Sequence, residues 1–125
     1  MRFEKFTNRL QQSLSDAQSL AMGKDHTSID GIHILAMLLE EASNLSLLQQ
    51  AGANLPELKK KLQQALTDAP TLSNPTGDLH LSPDAVKILN LADSYAQKAG
   101  DEFVSTDWVM LALVEVSLTK SLLTS

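Results

Sequence analysis

The chain contains no cysteine, so it has no disulfide framework and no thiolate chemistry, and it is compatible with a reducing cytosol. Aromatic residues make up only 4% of the 125 positions, with one tryptophan and one tyrosine, so any core must be built from Leu, Ala, Val and Ile. Five glycines and four prolines are too few for a turn-rich β fold. No apolar run approaches membrane-spanning length, and Met1-Arg2-Phe3-Glu4-Lys5-Phe6 lacks the apolar centre of a signal peptide. A cytoplasmic location with no membrane partner is therefore expected. Basic residues are outnumbered 10 to 15, a formal charge of −5, whereas a nucleic-acid binder needs a basic face to displace counterions from phosphates. No nucleic-acid partner is expected.

What is present is 43% apolar residues at helical spacing. A chain this long forms one compact domain that buries roughly two-thirds of its unfolded surface. Thr7 precedes Leu10, Leu14, Ala17 and Ala21, and Gly23 reads as the glycine just past a helix end. Asp30 reads as the N-cap of a second helix running to Glu41, followed by a short apolar turn from Ser46 to Ala51. Asn54 and Glu57 form a capping-box pattern around Pro56 and open a helix to about Leu66. Residues 67–81, with Pro70, Pro75 and Gly77, read as a linker. Ser82-Pro83 repeats the cap signal for a helix to about Lys98, which Gly100 breaks. Ser105 or Thr106 caps another helix to about Val116, and a last apolar turn runs from Leu118 to Leu123.

The two halves match when the first is shifted by 75 positions. Leu14 then falls on Leu89, Ala17 on Ala92, Ala21 on Ala96, Leu38 on Leu113, and the cap Thr7 on the cap Ser82. The expected fold is all-α, with two pseudo-symmetric repeats of short helices packed as one compact domain. Repeat one covers about 1–66, the linker 67–81 and repeat two 82–125. The counterpart of the helix at 55–66 would follow residue 125, so the last helix of repeat two reads as truncated and the chain as part of something longer.

The duplication also serves as an internal control, because positions where the copies differ have been put to different uses. Gln11, Ser13 and Asp16 give the first helix a polar outer face, yet their counterparts are Val86, Ile88 and Leu91. His33 corresponds to Trp108. This predicts a groove with Ile88, Leu91 and Trp108 as its apolar floor, and with Asp101, Asp107 and the Thr7 region as its polar rim. Each residue has a plainer role beside it. Thr7 is an N-cap worth about 1 kcal/mol, Asp107 complements a helix dipole, and Asp101 is a solvated loop acid. Val86 and Ile88 could pack inward, and Trp108 could equally sit in the core.

Thr7-Asn8-Arg9, Asp16-Ala17-Gln18-Ser19-Leu20-Ala21 and His33-Ile34-Leu35-Ala36-Met37-Leu38-Leu39-Glu40 resemble the repeated N-terminal domain of Clp-family ATPases. Ala96-Gln97-Lys98-Ala99-Gly100-Asp101 and Trp108-Val109-Met110-Leu111-Ala112-Leu113 carry the second copy. The opening Arg2-Phe3-Glu4-Lys5-Phe6-Thr7 and the Asp16–Ala21 stretch look most like the ClpB branch of disaggregases. The resemblance implies a domain that binds exposed apolar segments of unfolded or aggregated polypeptides and passes them to an ATPase pore. It also implies a hexameric parent working with the DnaK chaperone system, and a monomer as this fragment. By the same resemblance, substrate handling involves Thr7, Asp101 and Asp107, and the groove draws on Leu91 and Trp108; tryptophan is bulkier than the aliphatic residue usual there.

The chain has no Gly-x-x-x-x-Gly-Lys-Ser/Thr loop, so ATP and Mg are expected only in ATPase modules outside it, and no cofactor within it. His26, His33 and His80 lack metal-ligand spacing. No serine sits in a nucleophile elbow with a histidine placed to activate it, so no catalytic residue is assigned. The competing expectation is an adaptor-docking or phospho-residue-reading domain of the ClpA or ClpC kind. An acidic rim suits cationic or neutral segments better than a phosphate, which wants fixed cations. A helix-turn-helix DNA binder fits the acidic balance poorly.

Overall fold

The computed structural model describes residues 3–72 and 79–116. Among these, a 3-10 turn at Phe3–Lys5 leads into six helices: α1 (Asn8–Gly23), α2 (Gly31–Leu38), α3 (Ala42–Gln50), α4 (Leu55–Asp68), α5 (Pro83–Ala99) and α6 (Thr106–Glu115). The apolar turn expected at Leu118–Leu123 lies outside the described residues.

The caps form where the sequence places them. Thr7 Oγ accepts from the Leu10 amide at 3.2 Å, Asn54 Oδ1 from Glu57 at 3.2 Å and Ser82 Oγ from Ala85 at 3.0 Å. Pro56 and Pro83 occupy first turns, where the missing N–H costs nothing. α1 buries Leu10, Ala17 and Ala21, and α4 buries Leu58, Leu62 and Leu66, one side each. α2 is buried nearly all round through Gly31, Ile32, His33, Ile34, Leu35 and Leu38. It packs on α1 and also touches α4, α5 and α6, so it forms the centre of the core. α5 packs chiefly on α6.

Two boundaries differ from the sequence reading. α2 stops at Leu38 rather than Glu41, and α3 starts at Ala42 rather than Ser46. The buried Asn44 explains both, because its Nδ2 donates to the Leu38 carbonyl at 2.8 Å and satisfies a group that a longer α2 would have bonded internally. Gly23 is the last residue of α1 rather than a left-handed cap; the left-handed position is Asp25, φ 56°, a residue type that tolerates it.

The halves hold each other by crossed pairing. Phe6 bridges Val104, and Leu81 bridges Ile29, the same two positions with the repeats exchanged. The Thr7 amide donates to Val104 O at 3.0 Å and the Val104 amide to Lys5 O at 2.7 Å. Their counterparts are the Ser82 amide to Ile29 O at 2.9 Å and the Ile29 amide to His80 O at 3.0 Å. Each repeat's leading segment therefore pairs with the loop before the other repeat's second helix. The described part of the expected linker is also tied down, with Thr71 bridging His26, the Thr27 amide donating to Pro70 O and the Leu72 amide to Asp25 O.

Candidate functional site

The repeat comparison directs attention to α5. Its core stripe is Ala85, Ile88, Leu89, Ala92 and Ala96, spaced as one helix face. Ile88 is fully enclosed at 0% exposure, which corrects its expected place on an open floor. The reason lies in its counterpart: Ser13, expected on the outer face of α1, is itself buried at 8%, so this position points inward in both repeats. The contrast between Ser13 and Ile88 is one of core composition.

Val86 and Leu91 behave differently. Both are half-buried and line a shallow open groove of about 470 Å³ together with Pro83, Lys87, Asn90 and Ser94. Their counterparts Gln11 and Asp16 are exposed and engaged in polar contacts. Gln11 Nε2 donates to Phe6 O at 2.9 Å, and Asp16 accepts from Gln12 at 3.0 Å. The oily face of α5 thus has a hydrophilic equivalent on α1.

Four residues after Leu91, Tyr95 lies on the same side of the helix. Its ring is 6.2 Å from that of Trp108, tilted by 40°. The sequence reading missed Tyr95; its i+4 spacing from Leu91 was the available signal. The indole Nε1–H of Trp108 donates to Asp101 Oδ2 at 2.7 Å. Asp101 is in turn set by the end of α5. Gly100, at φ 78°, lets its own amide donate to Gln97 O at 3.1 Å and the Asp101 amide to Ala96 O at 2.9 Å. These two bonds form a Schellman motif, which needs a left-handed residue at the glycine. The motif sets the Asp101 backbone, from which its carboxylate meets the N–H edge of the indole.

Asp107, beside Trp108 in the chain, is exposed in the first turn of α6, where a negative charge complements the helix dipole. Thr7 is half-buried; its hydroxyl caps α1, and its amide holds the Val104 carbonyl of the loop between Asp101 and α6. Tyr95, Trp108 and Asp101 are therefore linked across α5, α6 and the loop between them, with Leu91 one turn before Tyr95 on α5. Thr7 joins them only through the Val104 backbone.

The first repeat carries a matching pair in a different setting. His26 and His33 stand at the positions of Asp101 and Trp108, and their rings meet Nδ1 to Nε2 at 2.7 Å. The Asp30 amide donates to His33 Nδ1 at 2.8 Å, so His33 carries its proton on Nε2 and gives it to His26. Both rings are buried, and His26 is bridged by Thr71 of the linking segment. Burial, and next the neighbouring His26, lower the His33 pKa to about 4. Of the second pair, Asp101 is exposed and Trp108 half-buried.

A larger cleft of about 670 Å³ lies between α4 and the α1–α3 side of the first repeat, lined among others by Leu20, Met37, Leu45 and Leu62. Its walls are the contact surfaces of packed helices, and it gathers none of the candidate residues. Among the described residues no group of three or more His, Asp or Glu could hold a metal ion. No single described helix is long and apolar enough to cross a membrane.

The chain is similar in sequence and fold to known proteins. The family described as the Clp repeat (R) N-terminal domain matches residues 5–125. The ClpB chaperone of Pseudomonas putida is 43% identical over 117 residues, covering 92% of this chain and 14% of that protein. The ClpB chaperone of Dichelobacter nodosus is 42% identical over 114 residues, covering 90% of this chain and 13% of that protein. The chain therefore spans about a seventh of the length of these curated relatives. Among solved structures, the Hsp104 N-terminal domain of Candida albicans superposes with a TM-score of 0.88 at 22% identity, covering 94% of this chain and 79% of that one. The N-terminal domain of the E. coli ClpV1 ATPase gives 0.82 at 20% identity, covering 98% of this chain and 79% of that one. At these identities the structural matches show the fold.

Proposed function

The chain belongs to the Clp repeat N-terminal domain family, and on that premise we propose that it is the client-binding domain of a ClpB-type disaggregase. The family match covers residues 5–125 and includes no ATPase module. In this reading the domain captures exposed apolar segments of unfolded or aggregated polypeptides and presents them to the pore of ATPase modules in a full-length protein. ATP and Mg act there, in the cytoplasm, in a hexamer that cooperates with the DnaK system.

One observation carries the proposal. α5 presents Val86 and Leu91 along an open groove, with the Tyr95–Trp108 ring pair one turn beyond Leu91, whereas the α1 counterparts of Val86 and Leu91 are the exposed, polar Gln11 and Asp16. Aromatic and aliphatic anchors with a few polar neighbours concentrate binding energy in protein interfaces. Asp101 and Asp107 are the acidic neighbours of Trp108, and Thr7 reaches this surface only through Val104. A groove this small binds weakly, and several copies on one hexamer recover affinity through effective concentration.

The test is an NMR titration of the domain with a permanently unfolded protein and, separately, with an adaptor of the ClpA or ClpC kind. Shifts centred on Val86, Leu91, Tyr95 and the Trp108 indole with the unfolded protein are expected. Binding of the adaptor alone, or shifts centred away from α5 and α6, would overturn the proposal in favour of adaptor docking.

A further inference from the structure

The Asp101–Trp108 hydrogen bond bears on how the surface recognises its client. We propose that Asp101 is a positioning residue that fixes the Trp108 indole, rather than a rim carboxylate that touches the client. The inference rests on the client-binding reading above and deepens it.

An indole has one polar atom, a donor, and here the Asp101 carboxylate satisfies it at 2.7 Å. Tyr95 flanks the ring from α5. The Asp101 backbone is in turn held by the Schellman end of α5, whose two bonds require the left-handed Gly100. The half-buried ring is thus braced by its edge and by a neighbouring aromatic, with its N–H already spent. Ordering a large side chain before binding removes an entropic cost that binding would otherwise bear. A braced indole offers the client apolar ring surface and no free donor. The surface therefore selects segments of aliphatic and aromatic side chains and gains nothing from a carbonyl or carboxylate aimed at the indole nitrogen. The histidine pair supports this reading of the architecture. The same two positions in the first repeat also hold ring to partner at 2.7 Å, so the scaffold brings this pair of positions into hydrogen-bonding reach in both repeats.

The test compares Asp101→Ala, Asp101→Asn and Trp108→Phe, with the double variant Asp101→Ala/Trp108→Phe, using an unfolded model protein as client. Trp108 is the sole tryptophan, so its fluorescence anisotropy and its indole N–H resonance report on the ring without any client. Asp101→Ala is expected to lower the anisotropy, move the indole resonance upfield and weaken client binding about three- to tenfold. Asp101→Asn, whose side-chain oxygen still accepts, should keep most of both. In the Trp108→Phe background, Asp101→Ala should cost no further affinity. An Asp101 that touches the client directly would instead give an undiminished loss in that background, with no change in the free indole, and would overturn the inference. If no form binds client, the client-binding reading has failed; the anisotropy and resonance of the free protein then still decide whether Asp101 holds the ring.

Discussion

Ser82 Oγ donates to Asp30 Oδ1 at 2.7 Å, so the residue that caps α5 is bonded to the residue that caps α2, 52 positions earlier in the chain. Each oxygen also serves its own helix, Ser82 accepting from Ala85 and Asp30 from Gly31. The equivalent position to Asp30 in the second repeat is Ser105, which makes no side-chain capping bond. The two repeats are therefore joined on one side by a link the other side lacks.

Ser82→Ala removes both a cap and this link, whereas Thr7→Ala removes a cap alone. Thr7→Ala is expected to cost about 1 kcal/mol and Ser82→Ala about 2 kcal/mol, read as the shift in urea midpoint. Once corrected for the folded fraction, client affinity of Thr7→Ala should stay within about twofold of the parent, because its hydroxyl serves α1.

Leu91→Asp and Trp108→Ala should each weaken binding of an unfolded polypeptide by about tenfold or more, the loss typical of an interface anchor. Far-UV circular dichroism should remain close to that of the parent, since both side chains are half-buried. Isothermal calorimetry of the folded variants checks the affinity.

Ile88 and Val86, two positions apart on α5, should separate stability from binding. Ile88→Ala, at a fully enclosed site, is expected to cost about 2–4 kcal/mol. Val86→Ser should leave stability within about 0.5 kcal/mol yet reduce client affinity, because Val86 lines the groove. Thermal melts alongside binding curves would show the two effects dividing.

Acid should weaken the fold through His33. Its folded pKa of about 4 lies below the unfolded value of 6.5, so between these values the unfolded chain holds a proton that the native chain does not. Its contribution is complete above pH 6.5, declines as pH falls toward 4, and amounts to roughly 2–3 kcal/mol. Urea midpoints from pH 7.5 to 4 should fall more steeply for the parent than for His33→Gln, the difference isolating this residue from the carboxylates.

Much of this was legible in the sequence because caps and periodicity are local signals. Thr7, Asn54, Ser82 and Gly100 mark helix ends through bonds spanning a few residues, and the shift of 75 exposed the duplication. α3 was harder to see because the residue that licenses its start, Asn44, acts by bonding back to Leu38. Ile88 was misplaced because a helix with apolar residues on several sides does not declare which side is the core. The i+4 spacing from Leu91 pointed to Tyr95, but its contact with Trp108 and the Asp101–Trp108 bond depend on α5 and α6 lying together, which no spacing within either helix reveals.

The exchanged pairing of Phe6 with Val104 and of Leu81 with Ile29 has the form of an isologous contact, in which each partner offers the other the same two patches. A lone half would carry one tongue and one receptor that its own geometry keeps apart, and would complete itself only against a twin. The present fold thus carries the pairing pattern of a symmetric dimer within one chain. At one matching pair of positions the halves nonetheless differ, with buried histidines in the first and an exposed aspartate beside a half-buried tryptophan in the second.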